Sequence, residues 1–459
     1  MKRIIAGPVV VFSLLCLSLL LPGGWGCGAG AAGGGDGDDA TTAQEEYTAA
    51  TASLNTGDIA SARDQYDAAA VAAQAAIDDL SGLSTVGLMK AQTLEELVNL
   101  LSESQFGGAL TRQMLLIDST PAQAFQANLD FHNSAGSAVL TLSDLLGSGA
   151  FLDQYTAHER DAVANPKADL TGMPFTGSFL TSSNHVGRIL AFTPDGTTTS
   201  EVQDLIEDLQ PLIEEIADLL EEASGNADFT FTVPKELYFG DEDIEVSRTD
   251  LLYYLAATDL NRASLSLVNT WSFDIDLGSL YSTDGTLVID KQDLVDTMND
   301  NFFAIRSTTE LMEAQTFLAH GFQSLLSALE ATPSTDGFGN IEKDATTADL
   351  FDQFEQIVDA ANDSLAAAAI IPTTAPSITV DLSHLFTNPP SADSIGIDPF
   401  VLEGSKIRPV EAFFNGMMED VVFGMTLPVD TFTILNTTLS GRAARDAIFN
   451  EFVSFPPFK

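Results

Sequence analysis

Residues 43–77 read AQEEYTAATASLNTGDIASARDQYDAAAVAAQAAI. Tyr47, Ala50 and Leu54 fall on one helical face. Gly57–Asp58 then marks a turn, because Gly accepts the left-handed backbone that ends a helix and Asp caps the next. Ile59, Ala62, Tyr66, Ala69 and Ala73 follow at spacings of three, four, three and four. That period belongs to a second amphipathic helix and not to a strand. The stretch therefore predicts two helices folded back on each other.

Small residues at Ala50, Ala62 and Ala69 allow close helix approach, and Tyr66 is sized to fill the groove between the helices. With Gly57 at the turn, these positions make the stretch resemble a tetratricopeptide repeat. The resemblance covers one unit, about 34 residues. Thr85 to Leu101 continues helical and is placed to supply the first helix of a second, degenerate unit. No second clear copy of the motif follows, so an ordinary helical hairpin remains the alternative.

Upstream, Met1–Lys2–Arg3 is basic, Ile4 to Leu21 is almost wholly apolar, and Pro22–Gly23–Gly24 breaks the run. Gly26–Cys27–Gly28–Ala29 follows. Charge, apolar core, small residue and Cys, in that order, form a secretory signal. The pattern resembles a bacterial lipoprotein signal with a relaxed recognition box, since Gly24 and Trp25 replace the usual residues. The resemblance implies cleavage after residue 26 and lipidation of Cys27. Gly28 in the next position implies the outer-membrane-sorted type. Cys16 lies inside the leader, so Cys27 is the only mature cysteine. A lone thiol in an oxidising compartment is a liability unless modified. The alternatives are an ordinary cleaved signal with a chance Cys, or an uncleaved anchor. Residues 27–42, rich in Gly, Ala and Asp, read as a flexible tether.

The chain has 459 residues, 66 acidic and 19 basic, for a net charge of −47. Ile189 to Pro234 contains no Lys or Arg. Such a charge repels polyanions, which excludes nucleic-acid binding. A solvated acidic surface, divalent-cation binding and attraction to a basic partner all remain open.

The rest of the chain is mainly helical in pattern. Residues 43–164 form an N-terminal helical region, with further helices at Leu94–Leu101, Leu110–Ile117 and Ala122–Leu146. Residues 165–199 hold scattered Pro and Gly, and read as an irregular insertion. Residues 200–370 form a central helical region. Its clearest element is Glu201–Ala223, with an apolar stripe from Val202 to Leu220. Nine carboxylates occupy the other face, from Glu201 to Glu222. Pro211 is expected to kink or split this helix. Phe229–Val233 alternates like a strand and is placed to pair with Ile244–Val246. Asp284–Gly285 marks a second hairpin within Phe273–Ile289. Leu251–Val268, Lys291–Glu330 (one helix, or two joined near Ser307–Thr308) and Ala348–Ala368 read as helices. Residues 371–459 are Pro-rich and aromatic, and are expected to wrap over the body. Glu411–Val422 and Arg442–Phe452 are short helices within them.

No serine-hydrolase elbow, phosphate loop, dinucleotide fingerprint or His-Glu-x-x-His helix is present. His132, His158, His185, His320 and His384 are dispersed, with no two at ligand spacing. The remaining metal reading is calcium, at Asp241, Glu242, Asp243 and Glu245, or at Asp336, Asn340, Glu342 and Asp344. Neither run has EF-hand spacing. No catalytic residue, cofactor or metal ligand is assigned.

The expectation is a mainly α protein: a helical array or bundle opening with the hairpin and carrying one or two small β-hairpins. Functionally, it is a non-enzymatic envelope lipoprotein, membrane-bound through Cys27 at the outer membrane of a Gram-negative-type bacterium, that binds or assembles with a protein partner. The alternatives are a calcium- or small-ligand-binding surface protein, or an envelope hydrolase without a recognisable motif.

Overall fold

A computed structural model describes residues 38–81, 88–116, 119–121, 131–132, 193–194, 199–234, 243–272, 303–331, 348–372, 378–390, 400–404, 406–410, 431–434 and 437–440. Cys27 and its leader lie outside them. Helix α1 spans Asp38–Asn55 and α2 spans Ile59–Ser81. The helix begins inside the expected tether, so Asp38–Thr42 is helical. Asp39 sits in its first turn, where a carboxylate meets the positive end of the helix dipole.

The turn between α1 and α2 is a Schellman closure. Gly57 has φ 77°. Its N–H donates to Leu54 O at 3.1 Å, and Asp58 N–H donates to Ser53 O at 2.9 Å. These bonds satisfy carbonyls that a helix end leaves open. Asp58 then caps α2 by accepting from Ser61 N–H at 3.2 Å. Gly57→Ala places a side chain in the left-handed region and is expected to cost about 1–2 kcal/mol. Urea denaturation measures this, and an unchanged midpoint contradicts it.

Helix α3 spans Leu88–Leu115 as one unbroken element, correcting the two helices expected at Leu94–Leu101 and Leu110–Ile117. The intervening Gly107–Gly108 is not a break. A Cβ on Gly107 would lie 2.7 Å from the Tyr66 ring. The glycine is the space into which Tyr66 packs. Within the expected helix Ala122–Leu146, Phe131–His132 (β1) instead pairs antiparallel with Thr193–Pro194 (β2). That pairing takes both residues out of a helix, and it includes two residues of the expected 165–199 insertion. The rest of that helix and of the insertion up to residue 198 lies outside the described residues.

Helix α4 spans Thr199–Ser224 and runs through Pro211 without splitting. Pro211 is exposed. The carbonyl it leaves without a helical donor belongs to Glu207, itself an exposed residue, so water can serve it. Strands β3 (Thr230–Val233) and β4 (Ile244–Ser247) pair as expected, with Phe231 opposite Val246. Helix α5 (Arg248–Thr270) opens with a capping box between Ser247 and Asp250 and is buried on most of its surface.

The expected long helix from Lys291 resolves in favour of a break. Phe303–Ser307 is non-helical and runs against the end of α5, with Arg306 N–H donating to Thr270 O at 2.7 Å. Phe303 stacks on Trp271 at 5.3 Å. Ser307 Oγ accepts from Glu310 N–H at 3.2 Å, which caps α6 (Thr308–Ala331). The part of the pattern before residue 303 lies outside the described residues.

Helix α7 (Ala348–Ser364) ends before the expected Ala368, because Ala369–Ile371 becomes β5 and pairs with Ile378–Val380, β6. Beyond them lie α8 (Ser383–Thr387), β7 (Phe400–Glu403) paired with β8 (Lys406–Pro409), and β9 (Thr431–Ile434) paired with β10 (Thr437–Ser440). The last two hairpins extend the expected β content. The hairpin around Asp284–Gly285 and the helices at Glu411–Val422 and Arg442–Phe452 lie outside the described residues.

The long helices pack in chain order: α1 on α2, α2 on α3, α3 on α4, α4 on α5, α5 on α6 and α6 on α7. Among the described residues two large apolar cores result, beside a small cluster of Ala43, Ala73 and Leu100. One joins α1 to α4 with β3, and includes Tyr66, Phe106 and Phe231. The other joins α5, α6, α7, β5 and β6, and includes Leu260, Phe322 and Val358. Helix α5 links them, because Leu251 and Leu255 face the first core while Leu252, Ala256 and Leu260 face the second. No helix among the described residues is long and apolar enough to cross a membrane.

Candidate functional site

The acidic face of α4 is exposed, as expected, but three arginines from neighbouring elements reach it. Arg112 of α3 binds Asp67 of α2 through both terminal nitrogens, at 2.8 and 2.9 Å. Its Nη2 also lies 2.8 Å from Glu215 of α4. One guanidinium therefore ties three consecutive helices. Arg306, just before α6, reaches Asp204 at 2.5 Å and Glu207 at 3.4 Å. Arg262 of α5 lies 3.6 Å from Glu214. Gln105 of α3 donates to Glu222 at 2.6 Å. Exposed pairs of this kind each contribute about 0–1 kcal/mol. Their main effect is to fix register along the array.

Arg262 differs because it is buried. It pairs with the equally buried Asp259 at 3.1 Å and lies 3.9 Å above the Phe317 ring. Burial pushes the Asp259 carboxyl up to about 6, against the pull of Arg262. Glu310 is bound by Gln210 of α4 at 2.8 Å. These groups cross the α4, α5 and α6 junction. The sequence signal for this was the basic-free segment Ile189–Pro234, whose charge has to be met by arginines lying elsewhere in the chain.

A second polar group lies between α1, α2 and α3. Tyr47 donates its hydroxyl to Glu103, and its ring meets Tyr66 edge-on at 5.8 Å. Burial pushes the Glu103 carboxyl up, while the Tyr47 bond opposes the shift. Burial likewise raises Tyr66, to about 12. Both phenols stay protonated at neutral pH, so the group can hold helices together but supplies no base from tyrosine. An acid whose folded pKa is raised stabilises the fold below its unfolded pKa, and that stability is lost as pH rises through the folded value. Glu103→Gln keeps an acceptor for Tyr47 and removes the buried charge. It is expected to raise the melting midpoint at pH 8 and leave it nearly unchanged at pH 4. A lower midpoint at pH 8 contradicts this.

The other sequence candidates are not brought together. Asp243 and Glu245 belong to the β3–β4 hairpin, while Asp241, Glu242 and the run from Asp336 to Asp344 lie outside the described residues. Among the described residues no group of three or more His, Cys, Asp or Glu side chains is placed to hold a metal. His320 is exposed on α6, and His384 lies 3.5 Å from Asp381 on α8. His132 is in β1, whereas His158 and His185 lie outside the described residues.

Comparison with protein-family models, curated proteins and solved structures finds no match to this chain.

Proposed function

We propose that this chain is an envelope lipoprotein, tethered through Cys27, whose helical array binds or assembles with a protein partner. The observation that carries this reading is the chain-order packing of α1 to α7. Linear arrays of this kind leave long sides open to solvent, and those sides are where repeat proteins bind. The outer face of α1 is polar, with Gln44, Glu45, Thr48 and Asn55 exposed. A terminal helix of an array needs such a face. The likeness of residues 43–77 to a tetratricopeptide unit supports the same reading, with α3 in the place of a following unit's first helix.

Crosslinking and pull-down from membranes, using the Cys27-anchored chain, tests the binding role. Recovery of a defined partner in fixed ratio is expected, and recovery of none contradicts it. Labelling with a fatty-acid analogue tests the anchor separately. Uptake of label and membrane retention by Cys27→Ser would remove it.

A further inference from the structure

The C-terminal end of α5 carries two features that helix packing does not require. The first is Phe303, at φ 66° the only residue other than glycine with positive φ among the described residues. A bulky aromatic is strained there, and such a backbone persists only where its surroundings force it. Three contacts do so. Phe303 N–H donates to Ser272 O at 2.8 Å, Ser272 N–H donates to Ala304 O at 2.7 Å, and the ring lies on Trp271 with 12° between the planes. The second is Asn269, wholly buried on the last turn of α5. Among the described residues neither its Oδ1 nor its Nδ2 has a hydrogen-bond partner. A buried amide left so is rare and destabilises the state that contains it. The backbone around it is met. Gln203 of α4 donates to Val268 O and Trp271 O, both at 2.7 Å, and Thr270 O accepts from Arg306 N–H at 2.7 Å.

One further contact closes this corner. Trp271 Nε1–H donates to the carbonyl of buried Pro390 at 2.7 Å, which ties residues 388–390, just after α8, to the end of α5. Neither Trp271 nor Phe303 belongs to the two large cores. The corner is therefore held by local hydrogen bonds and one ring stack, the kind of region that opens without global unfolding. Lifting residues 388–390 passes Trp271 Nε1–H from Pro390 to water. It also lets water reach Asn269 and frees Phe303 to return to negative φ. We propose that this corner is a strained clasp: it holds residues 388–390 on the helical array through Trp271, and Phe303 and Asn269 bias it toward opening. The C-terminal part of the chain can then leave the end of α5 while both cores stay folded.

Native-state hydrogen exchange of the full chain in low urea tests this at the Ser272, Phe303 and Arg306 amides. They are expected to exchange together, about a hundredfold faster than the α5 amides from Leu255 to Leu260, and with little dependence on urea. Exchange only at the rate of those core amides overturns the proposal. Trp271→Phe keeps a stacking ring but loses the bond to Pro390. It should speed the three amides by about fivefold and leave the core amides unmoved. Unchanged rates, or an equal rise in the core, overturn the clasp. Asn269→Leu replaces the unpartnered amide with an apolar group of similar size. It should slow the three amides by about tenfold and raise the global midpoint. Unchanged or faster exchange, or a lower midpoint, would show that the amide does not oppose the closed form. Phe303→Gly and Phe303→Ala both lose the ring, but only glycine accepts φ 66° without strain. The Ser272 and Arg306 amides should exchange about fivefold more slowly in the glycine variant. Equal rates, or the reverse order, would remove the strained backbone and the clasp with it.

Discussion

Tyr66→Ala is expected to lose about 3–5 kcal/mol of stability, the range for removing a large aromatic from a packed core. Tyr66 is fully buried and meets Tyr47 of α1 at 5.8 Å and Phe231 of β3 at 6.2 Å. Its ring also fills the gap over Gly107 of α3, where a Cβ would lie 2.7 Å away. One side chain thus joins four elements. Gly107→Ala should destabilise as well. Alanine is the better helix former by up to about 1 kcal/mol, but overpacking against a rigid ring costs about 1–3 kcal/mol. The double variant gives the sharper test. With the ring gone, the methyl introduced by Gly107→Ala enters space that Tyr66 vacated, so the double loss should be smaller than the sum by more than about 0.5 kcal/mol. Denaturant unfolding of the three variants measures this. Simple additivity, or a stabilised Gly107→Ala, would show that the ring and the glycine are not in contact.

The sequence disclosed the hairpin because each of its signals is local. Gly57, Asp58 and the small-residue spacing around Tyr66 all act within two helices. It also disclosed the helical class and the β3–β4 pair for the same reason. Leu94–Leu101 and Leu110–Ile117 read as separate helices, yet Gly107–Gly108 between them continues α3, because a glycine pair in a helical pattern has two meanings, a break or a close approach. Only the partner across the interface, Tyr66, decides between them. Pro211 does not split α4 for a related reason: its cost depends on whether the carbonyl it leaves open faces water. The capping box is a local signal too: Ser247 with Asp250 three residues on stands just ahead of the apolar pattern of Leu251–Val268. The charge arrangement was only half legible. Composition gave the excess of carboxylates and the basic-free segment. It did not show that Arg112, Arg262 and Arg306, far apart in sequence, converge on α4.

Arg262→Met carries the second large expected effect, a loss of about 3–5 kcal/mol near neutral pH, because it strands a buried charge. Methionine keeps much of the aliphatic stem, which separates charge from packing. Arg262 is 8% exposed, Asp259 4%, and their closest atoms are 3.1 Å apart. Asp259 ionises at about 6 even with the arginine present, because burial outweighs the attraction. Without Arg262 the carboxyl should hold its proton more tightly still. The pH dependence fixes the sign. The folded pKa lies above the unfolded value of 3.8. Protonated Asp259 therefore stabilises the fold at low pH, and that stability is lost as pH rises through about 6. Arg262→Met should extend this loss to higher pH and deepen it, so the variant is expected to lie nearer the parent at pH 5 than at pH 8. Adding Asp259→Asn to Arg262→Met removes the stranded charge and should recover most of the stability at pH 8, since a neutral buried amide costs less than an unpaired carboxylate. Denaturant unfolding of both variants at the two pH values makes the comparison. A loss that is equal at pH 5 and pH 8, and that Asp259→Asn fails to repair, would assign the effect to the contact with Phe317 and not to the buried pair.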